Sequence, residues 1–322
     1  MKISFRQKGL QREPSSTMAK TPRDWLQMPD EIMGGMILQR LGAIDILMNA
    51  QKVCRNWRRI CKDPAMWRVI DMDYFRFDNK HDAEKLCKQA VHRSRGELID
   101  ITIDGFGTDD LLNRSAVHFV ALNGYLMHSS SKLKSLWLMD CYSITRNGLV
   151  HALKRLPCLE TLDLFDISIN AEDIKVIGQS CPQLKSFKMN TRFMECDGDA
   201  FAIANSMPAL RHLQLFSDAI TNDGLQAILH GCPRLESLHL SRCVCLELDG
   251  NLEKLCRERI KDLKFTTPFK GCWCFARRLL RFKRSKALIK EKVSLITGTD
   301  RQTWEQEEHP FLVDLTKSDT TR

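Results

Sequence analysis

The stretch Leu159-Glu-Thr-Leu162-Asp-Leu164 has five close copies along the middle of the chain. The six segments begin at residues 133, 159, 184, 210, 235 and 260, so they lie 26, 25, 26, 25 and 25 residues apart. In every copy an apolar side chain holds the first, fourth and sixth positions. Such a regular period indicates a repeat protein, in which each repeat is one structural unit.

Apolar and polar residues alternate at the end of each segment, which predicts a short strand with one buried face. A proline stands two residues before four of the segments, where it ends the preceding helix without removing a sheet hydrogen bond. These prolines are Pro157, Pro182, Pro208 and Pro233. We therefore expect an α/β solenoid with a curved parallel sheet and outer helices. The pattern resembles leucine-rich repeats, several of them of the cysteine-containing type.

The repeats are expected to span residues 98–266. An earlier strand is predicted at Leu98-Ile-Asp-Ile101-Thr-Ile103, which starts 35 residues before the next segment. The surplus residues are assigned to an insertion at about 115–131, which either extends the local helix or bulges from one edge. Residues 71–97 are predicted to form a helical linker.

A different pattern of three short helical stretches occupies residues 24–70. Helices of this length bury too little apolar surface to be stable alone. The module carries two tryptophans beyond Trp25 and many aliphatic side chains. We therefore expect it to hide part of its apolar surface against another molecule.

The sequence of this module resembles an F-box, because five landmarks occur in the family's order. They are Met28-Pro29-Asp-Glu-Ile32, Ile37-Leu38-Gln-Arg-Leu41, Asp45-Ile-Leu, Val53-Cys54-Arg-Asn-Trp57-Arg58 and Asp63-Pro64-Ala-Met-Trp67. Met28 stands where the family usually has leucine, a change that keeps volume and apolarity. Together with the repeats, residues 24–266 resemble plant-type F-box/leucine-rich-repeat proteins, close to the SKIP19-like group.

The resemblance implies a substrate-recognition subunit of an SCF-type E3 ubiquitin ligase. The F-box would bind a Skp-type adaptor and, through it, the cullin and RING subunits, while the repeats would bind a protein substrate. The adaptor-binding residues carried over from the family are Pro29, Ile32, Ile37, Leu38, Leu41, Val53, Cys54, Trp57 and Trp67. The alternative is that these residues form a private helical core packed on the first repeat.

Residues between the inward leucines are expected to face the concave surface of the sheet. One column contains Trp137, Asp163, Lys188, Gln214, His239 and Lys264, and the next contains Met139, Phe165, Asn190, Phe216 and Ser241. The substrate-binding residues predicted from these columns are Trp137, Met139, Phe165, Lys188, Gln214, Phe216 and His239. Large apolar side chains on a concave face favour partner binding. The alternative is that the C-terminal tail or the insertion covers them.

The sequence has no Gly-rich phosphate loop, no G-x-S-x-G and no H-E-x-x-H motif. We therefore expect a non-catalytic chain with no catalytic residue, no metal and no cofactor. The pairs Cys243-x-Cys245 and Cys272-x-Cys274 have shorter spacing than zinc ligands usually have. The thirteen cysteines are expected to be reduced, because the chain shows no secretory signal.

Positive charge is concentrated at the two ends of the chain. Residues 1–23, predicted to be a disordered arm, have six Lys/Arg and one Glu, and residues 267–322, predicted to be a flexible tail, have twelve Lys/Arg and seven acids. The remaining 31 basic and 32 acidic residues leave the body nearly neutral. We therefore expect no DNA or RNA partner for the body, since nucleic-acid binding needs a basic folded face.

The basic segment 270–290 has three interpretations that stay open. It is a nuclear localisation signal, an amphipathic helix on an anionic membrane, or a solvated tail. No apolar run is long enough to span a membrane, so the expected location is the nucleus, the cytoplasm or both.

Two functions compete with the ligase role. A non-ligase leucine-rich-repeat scaffold or nucleic-acid-binding protein would use the basic ends. A small-molecule receptor of the hormone-sensing kind would share the architecture, but the repeats are few and no basic pocket is evident.

Overall fold

A computed structural model describes residues 29–73, 77, 79–122, 125–130, 132–190, 197–216, 220–243, 245–247 and 250–266. For residues 117–122, 125–130 and 266 it describes the backbone alone. The N-terminal arm, the first F-box landmark up to Met28, and the C-terminal tail from residue 267 lie outside the described residues.

The F-box region consists of short helical segments of three kinds. In chain order they are π-helical Ile32–Ile37, 3-10 Leu38–Leu41, α1 (Ala43–Asp45), π-helical Ile46–Ala50, α2 (Gln51–Val53), α3 (Arg55–Ile60) and 3-10 Pro64–Trp67. Gly42 separates the 3-10 segment Leu38–Leu41 from α1, and its φ of 82° is a conformation that favours glycine. Cys54 has extended backbone, and its Sγ accepts a hydrogen bond from the Trp57 N–H at 3.4 Å, which caps α3.

Eight parallel strands form the main sheet, which confirms the predicted α/β repeat architecture. The strands are β1 (Val69–Asp73), β2 (Asp100–Asp104), β5 (Ser135–Met139), β6 (Thr161–Phe165), β7 (Ser186–Asn190), β8 (His212–Phe216), β9 (Ser237–Ser241) and β10 (Asp262–Thr266). They lie side by side in chain order. The residues predicted to face inward, such as Leu136, Leu162 and Leu213, are buried in one continuous core.

The sheet begins one strand earlier than the sequence pattern predicts. Strand β1 covers the start of the predicted helical linker. Its Ile70 pairs in register with Ile101 of β2, and its Met72 pairs with Ile103. Trp67 therefore occupies the position that the first leucine has in the other repeats. The sequence analysis missed this strand because Trp and Met replace leucine there and the spacing to Leu98 is outside the period.

A helix connects each pair of neighbouring strands in the main sheet. Between β2 and β5, the helix is followed by the hairpin described below. The helices are α4 (Lys80–Ser94), α5 (Asp109–Ala116), α6 (Arg146–Leu153), α7 (Ala171–Ser180), α8 (Gly198–Ser206), α9 (Asn222–Gly231) and α10 (Gly250–Arg259). The side chains of Thr145, Asn170 and Thr221 cap α6, α7 and α9 by accepting backbone N–H bonds. Such caps satisfy N–H groups that have no partner within the helix.

The insertion forms a β-hairpin rather than a longer helix. Helix α5 ends at Ala116, and the backbone continues directly as β3 (Val117–Leu122) and β4 (Tyr125–Ser130). These two strands pair antiparallel with each other and form a separate two-stranded sheet. The sequence left open whether the insertion extends the local helix or bulges from one edge. The structure shows that it does not extend the helix.

The F-box and the repeats share one core. The Trp67 side chain is fully buried, and its indole N–H donates to the Cys61 carbonyl at 2.9 Å. The Arg93 guanidinium, on α4, lies 5.2 Å from the centre of the Trp67 ring and donates to Gln51 Oε1 at 2.9 Å. Burial lowers the pKa of Arg93. The alternative of a helical core packed on the first repeat is thus realised in part, and the two modules form one body.

Two aspartates link neighbouring repeats and explain why glycine stands at residues 148 and 224. The Asp109 carboxylate accepts hydrogen bonds from the Thr145 N–H at 2.8 Å and the Thr145 hydroxyl at 2.7 Å. Asp197 accepts the equivalent pair from Thr221. A Cβ at Gly148 would lie 2.0 Å from Asp109, and one at Gly224 would lie 2.2 Å from Asp197. Only glycine leaves room for the carboxylate at these positions.

The variant G148A is expected to lose about 1–3 kcal/mol of unfolding free energy, because its methyl group overpacks against Asp109. Urea denaturation followed by circular dichroism measures this loss. Gly35 is the matched control, since a Cβ there meets no atom within 4 Å. The control variant G35A is expected to keep or gain stability, because alanine favours helix over glycine. Equal stabilities of the two variants would contradict the packing explanation.

Candidate functional site

Exposed large apolar side chains are concentrated in the F-box region. Eight large apolar residues are exposed among the described residues, and four of them lie within this short segment. These four residues are 41–62% exposed and are Ile32, Met36, Met48 and Val53. Apolar surface of this kind in a small module marks a contact site for a partner. The F-box region is therefore the first candidate interaction surface.

The structure divides the nine predicted adaptor-binding residues into three groups. Pro29, Ile32 and Val53 are exposed, whereas Ile37, Leu41, Cys54 and Trp57 are partly buried. Leu38 and Trp67 are fully buried. These last two pack in the core beneath the surface, and their adaptor contact stays a prediction.

Two exposed side chains of this surface, Met36 and Met48, were missed as contact residues. The predicted adaptor-binding residues were carried over from the F-box landmarks, and Met36 and Met48 each lie just outside a landmark. The segments Ile32–Ile37 and Ile46–Ala50 are π-helical, with i to i+5 bonding that rotates side chains away from the α-helical positions. No signal in the residue pattern marks that rotation.

Local contacts hold the F-box segments in place. The Asp63 carboxylate accepts a hydrogen bond from the Ala65 N–H at 2.9 Å, and Pro64 occupies the first position of the 3-10 turn. The Gln39 side chain donates to the Ala65 carbonyl at 3.2 Å. Arg59 pairs with Asp30 across the module. The exposed apolar side chains therefore project from a braced framework.

The concave face of the main sheet is the second candidate surface, and its strand registers confirm the predicted columns. Trp137 pairs with Asp163, and the same column continues through Lys188, Gln214, His239 and Lys264. The second column runs through Met139, Phe165, Asn190, Phe216 and Ser241. Alternation along each strand thus places these residues on the face opposite the leucine core.

Six of the seven predicted substrate-binding residues are partly exposed on this face. They are Trp137, Met139, Phe165, Lys188, Phe216 and His239. The Lys188 ammonium lies 5.2 Å from the centre of the Trp137 ring and 3.6 Å from an Asp163 carboxylate oxygen. Gln214 differs, because it lies on the same face but is only 6% exposed, and its substrate contact stays a prediction.

The sequence analysis missed the concave residues of the first two strands. Asp71 pairs with Thr102, and Thr102 with Trp137, so these residues extend the first column. Asp73 and Asp104 extend the second column to Met139. The columns therefore begin with carboxylates, and Asp71 and Asp73 were overlooked because β1 was not recognised as a strand.

A charged group closes the opposite end of the face. Asp262 accepts from His239 Nε2 at 2.7 Å, pairs with Lys264 Nζ at 2.9 Å and accepts from the Ser237 hydroxyl at 3.2 Å. Lys264, and next His239, lower the pKa of Asp262 from 3.8 to about 2. The Asp262 carboxylate is thus ionised throughout the neutral and mildly acidic range.

We expect the Asp262 carboxyl to titrate near pH 2 in the folded protein, as measured by NMR of its side-chain carbon. Since the folded pKa lies below the unfolded value, ionised Asp262 stabilises the fold above about pH 4. That contribution is lost as the pH falls toward 2. The variant K264M removes the largest cause and is expected to return the pKa toward 3.8. A native midpoint near 3.8 would contradict the assigned contacts.

No group of three or more His, Cys, Asp or Glu among the described residues could hold a metal ion. Cys272 and Cys274 lie outside that part of the chain. None of the helices in the described ranges has both the length and the apolar character that a bilayer crossing requires.

The fold and the two surfaces define a class of protein: a helical docking module joined to a strand–helix solenoid with a concave binding face. Comparison with known families agrees. A model of the F-box-like family matches residues 25–73. A model described as "FBD-associated F-box protein At5g56370, LRR repeats" matches residues 188–260.

Several proteins of Arabidopsis thaliana are similar over most of the described chain. F-box protein SKIP19 is 46% identical over 254 residues, which cover 78% of this chain and 80% of the relative. Putative F-box/LRR-repeat protein 22 is 43% identical over 76% of this chain and 77% of its own length. Putative F-box/LRR-repeat protein 23 is 46% identical, but the match spans 55% of its length and 78% of this chain. The chain therefore belongs to the plant-type F-box/leucine-rich-repeat family.

Proposed function

We propose that this chain is the substrate-recognition subunit of an SCF-type E3 ubiquitin ligase. The F-box binds a Skp-type adaptor and, through it, the cullin and RING subunits, and the repeats bind a protein substrate. The observation that carries the proposal is the exposure of Ile32, Met36, Met48 and Val53 within the F-box. We place this activity in the nucleus, the cytoplasm or both.

The chain contributes binding and positioning, and the other subunits supply the chemistry. Holding a substrate lysine near a charged ubiquitin carrier raises the effective concentration of the two reactants. No reactive group on this chain is needed for that effect. We therefore propose a non-catalytic role that needs no cofactor.

The connection between the two surfaces supports this role. Trp67 lies under the F-box and also holds the first position of the first repeat, and Arg93 contacts both Trp67 and Gln51. Because the two modules share a core, the concave face keeps one orientation relative to the adaptor surface. A fixed orientation is useful to a receptor that works by proximity.

Affinity purification of the tagged full chain from plant cells, followed by mass spectrometry, tests the proposal. We expect a Skp-type adaptor and a cullin to copurify, together with substrates whose abundance rises when the proteasome is inhibited. The F-box variant described in the Discussion should lose the adaptor and cullin while it retains the substrates. Absence of adaptor and cullin from the wild-type sample would overturn the proposal.

A further inference from the structure

Charge is distributed unevenly across the concave face. In the first four strands of the sheet, β1, β2, β5 and β6, the concave positions hold five carboxylates and no Lys or Arg. Three of these carboxylates, Asp71, Asp73 and Asp100, are at least partly exposed. The other two, Asp104 and Asp163, are buried, and Asp163 lies 3.6 Å from the Lys188 ammonium. The other four strands hold Lys188 and Lys264 against a single acid, Asp262. The N-terminal half of the face is therefore acidic, and its exposed negative charge lies on β1 and β2.

Apolar side chains lie directly beside these carboxylates. Trp137 and Met139 on β5 pair in register with Thr102 and Asp104 on β2. Phe165 on β6 is the next neighbour of Met139. An occupant that matches this half of the face would therefore combine positive charge with large apolar side chains.

This chain carries a segment of that composition immediately after its last strand. Residues 270–290 contain eight Lys or Arg and no acid. Its large apolar residues include Trp273, Phe275, Leu279, Leu280 and Phe282. The composition complements the acidic half of the concave face in both charge and apolar character.

The distances allow this segment to reach the acidic half in the same chain. Strand β10, which ends at Thr266, and β1 lie at opposite edges of an eight-stranded sheet, seven strand spacings apart. At ~4.8 Å per spacing the separation is about 34 Å. At up to ~3.3 Å per residue, Lys283 can lie as far as about 56 Å from Thr266, whereas Lys270 reaches only about 13 Å.

We propose that the basic segment 270–290 docks on the concave face of its own chain, with its cations against Asp71, Asp73 and Asp100 of β1 and β2. Docked there, it covers the Trp137, Met139 and Phe165 side chains. A substrate then has to displace the segment, which raises the selectivity of the face. The inference does not depend on adaptor binding and holds for any function of the concave face.

Zero-length carboxyl-to-amine crosslinking of the purified full chain tests the docking. Unlabelled and ¹⁵N-labelled chains are mixed in equal amounts, and crosslinked peptides are identified by mass spectrometry. We expect Lys283 or Lys286 to crosslink to Asp71, Asp73 or Asp100 within single isotope classes. Lys270 should not crosslink to these aspartates, because it cannot reach them. The crosslinks should weaken in high salt, which screens the charges.

The matched variants separate charge-driven docking from general charge effects. R277Q/R278Q/R281Q removes three cations of the segment, keeps its lysines, and should reduce the crosslinks at least tenfold. The control K254Q/R257Q/K261Q removes three exposed cations on or near α10, and the yield of the crosslinks should stay unchanged. Absent crosslinks, mixed-isotope crosslinks from a second copy, or equal effects of the two variants would overturn the proposal. Both variants should still bind the adaptor normally. Failure of the docking proposal can therefore be told apart from failure of the proposed ligase role.

Discussion

The double variant I32D/V53D is expected to bind a Skp-type adaptor at least ~100-fold more weakly than the wild-type chain. Burying an isoleucine or valine side chain against a partner contributes about 1.5–3 kcal/mol, and ~1.4 kcal/mol corresponds to tenfold in affinity. Aspartate at the same positions adds the cost of removing a charge from water. Both side chains are exposed, so the fold itself loses little. Titration onto immobilised adaptor measures the loss, and thermal unfolding checks the fold.

The control for this variant is F201D/L255D. Phe201 and Leu255 are 44% and 40% exposed on repeat helices α8 and α10, so the same apolar-to-aspartate change is made outside the F-box. We expect normal adaptor binding. Wild-type binding by I32D/V53D, or equal losses in the two variants, would sink the assignment of this surface. Leu38 is unsuitable for the test, because it is fully buried and its replacement would disturb the fold.

The variant W67A is expected to lose about 3–5 kcal/mol of unfolding free energy, since it leaves a large cavity in the shared core. It also removes the indole hydrogen bond to the Cys61 carbonyl and the ring beneath Arg93. Urea denaturation followed by circular dichroism measures the change. Because the F-box and the first repeat share this side chain, we expect both to be destabilised together.

A second variant keeps the test informative if W67A does not fold. W67F retains most of the ring and loses mainly the hydrogen bond, so a loss of about 1–2 kcal/mol is expected. The control V69A changes an exposed side chain two residues away and should stay within about 0.5 kcal/mol of wild type. A loss below 1 kcal/mol for W67A, or separate unfolding of F-box and repeats, would contradict the shared core.

Much of the solenoid could be predicted from the residues, because its register depends on local rules. Leucines that alternate along a strand can face the core in one register only, and a slip by one residue would expose all of them. The period of 25 or 26 residues then aligns the strands. For this reason the columns through Trp137 and Met139 were predicted correctly, without any knowledge of tertiary contacts.

The same rules failed where the repeat lost its leucines. Trp67, Ile70 and Met72 follow the spacing of the other strands, but tryptophan and methionine hid the pattern, and β1 was assigned to the F-box and linker. The insertion gave no preference between helix and hairpin. The acidic start of the concave face stayed hidden with β1, because the aspartates become neighbours only when that strand joins the sheet.

The sequence by itself determined the repeat period, the inward face of seven strands and the likeness of residues 24–70 to an F-box. Only the tertiary structure decided which apolar side chains of that F-box are exposed. Ile32, Leu38, Val53 and Trp67 are all apolar, and no local property separates the exposed pair from the buried pair. The difference comes from packing: α4 packs against the segment that contains Trp67 and places Arg93 beside its ring, whereas nothing in the described chain covers Val53 to the same extent.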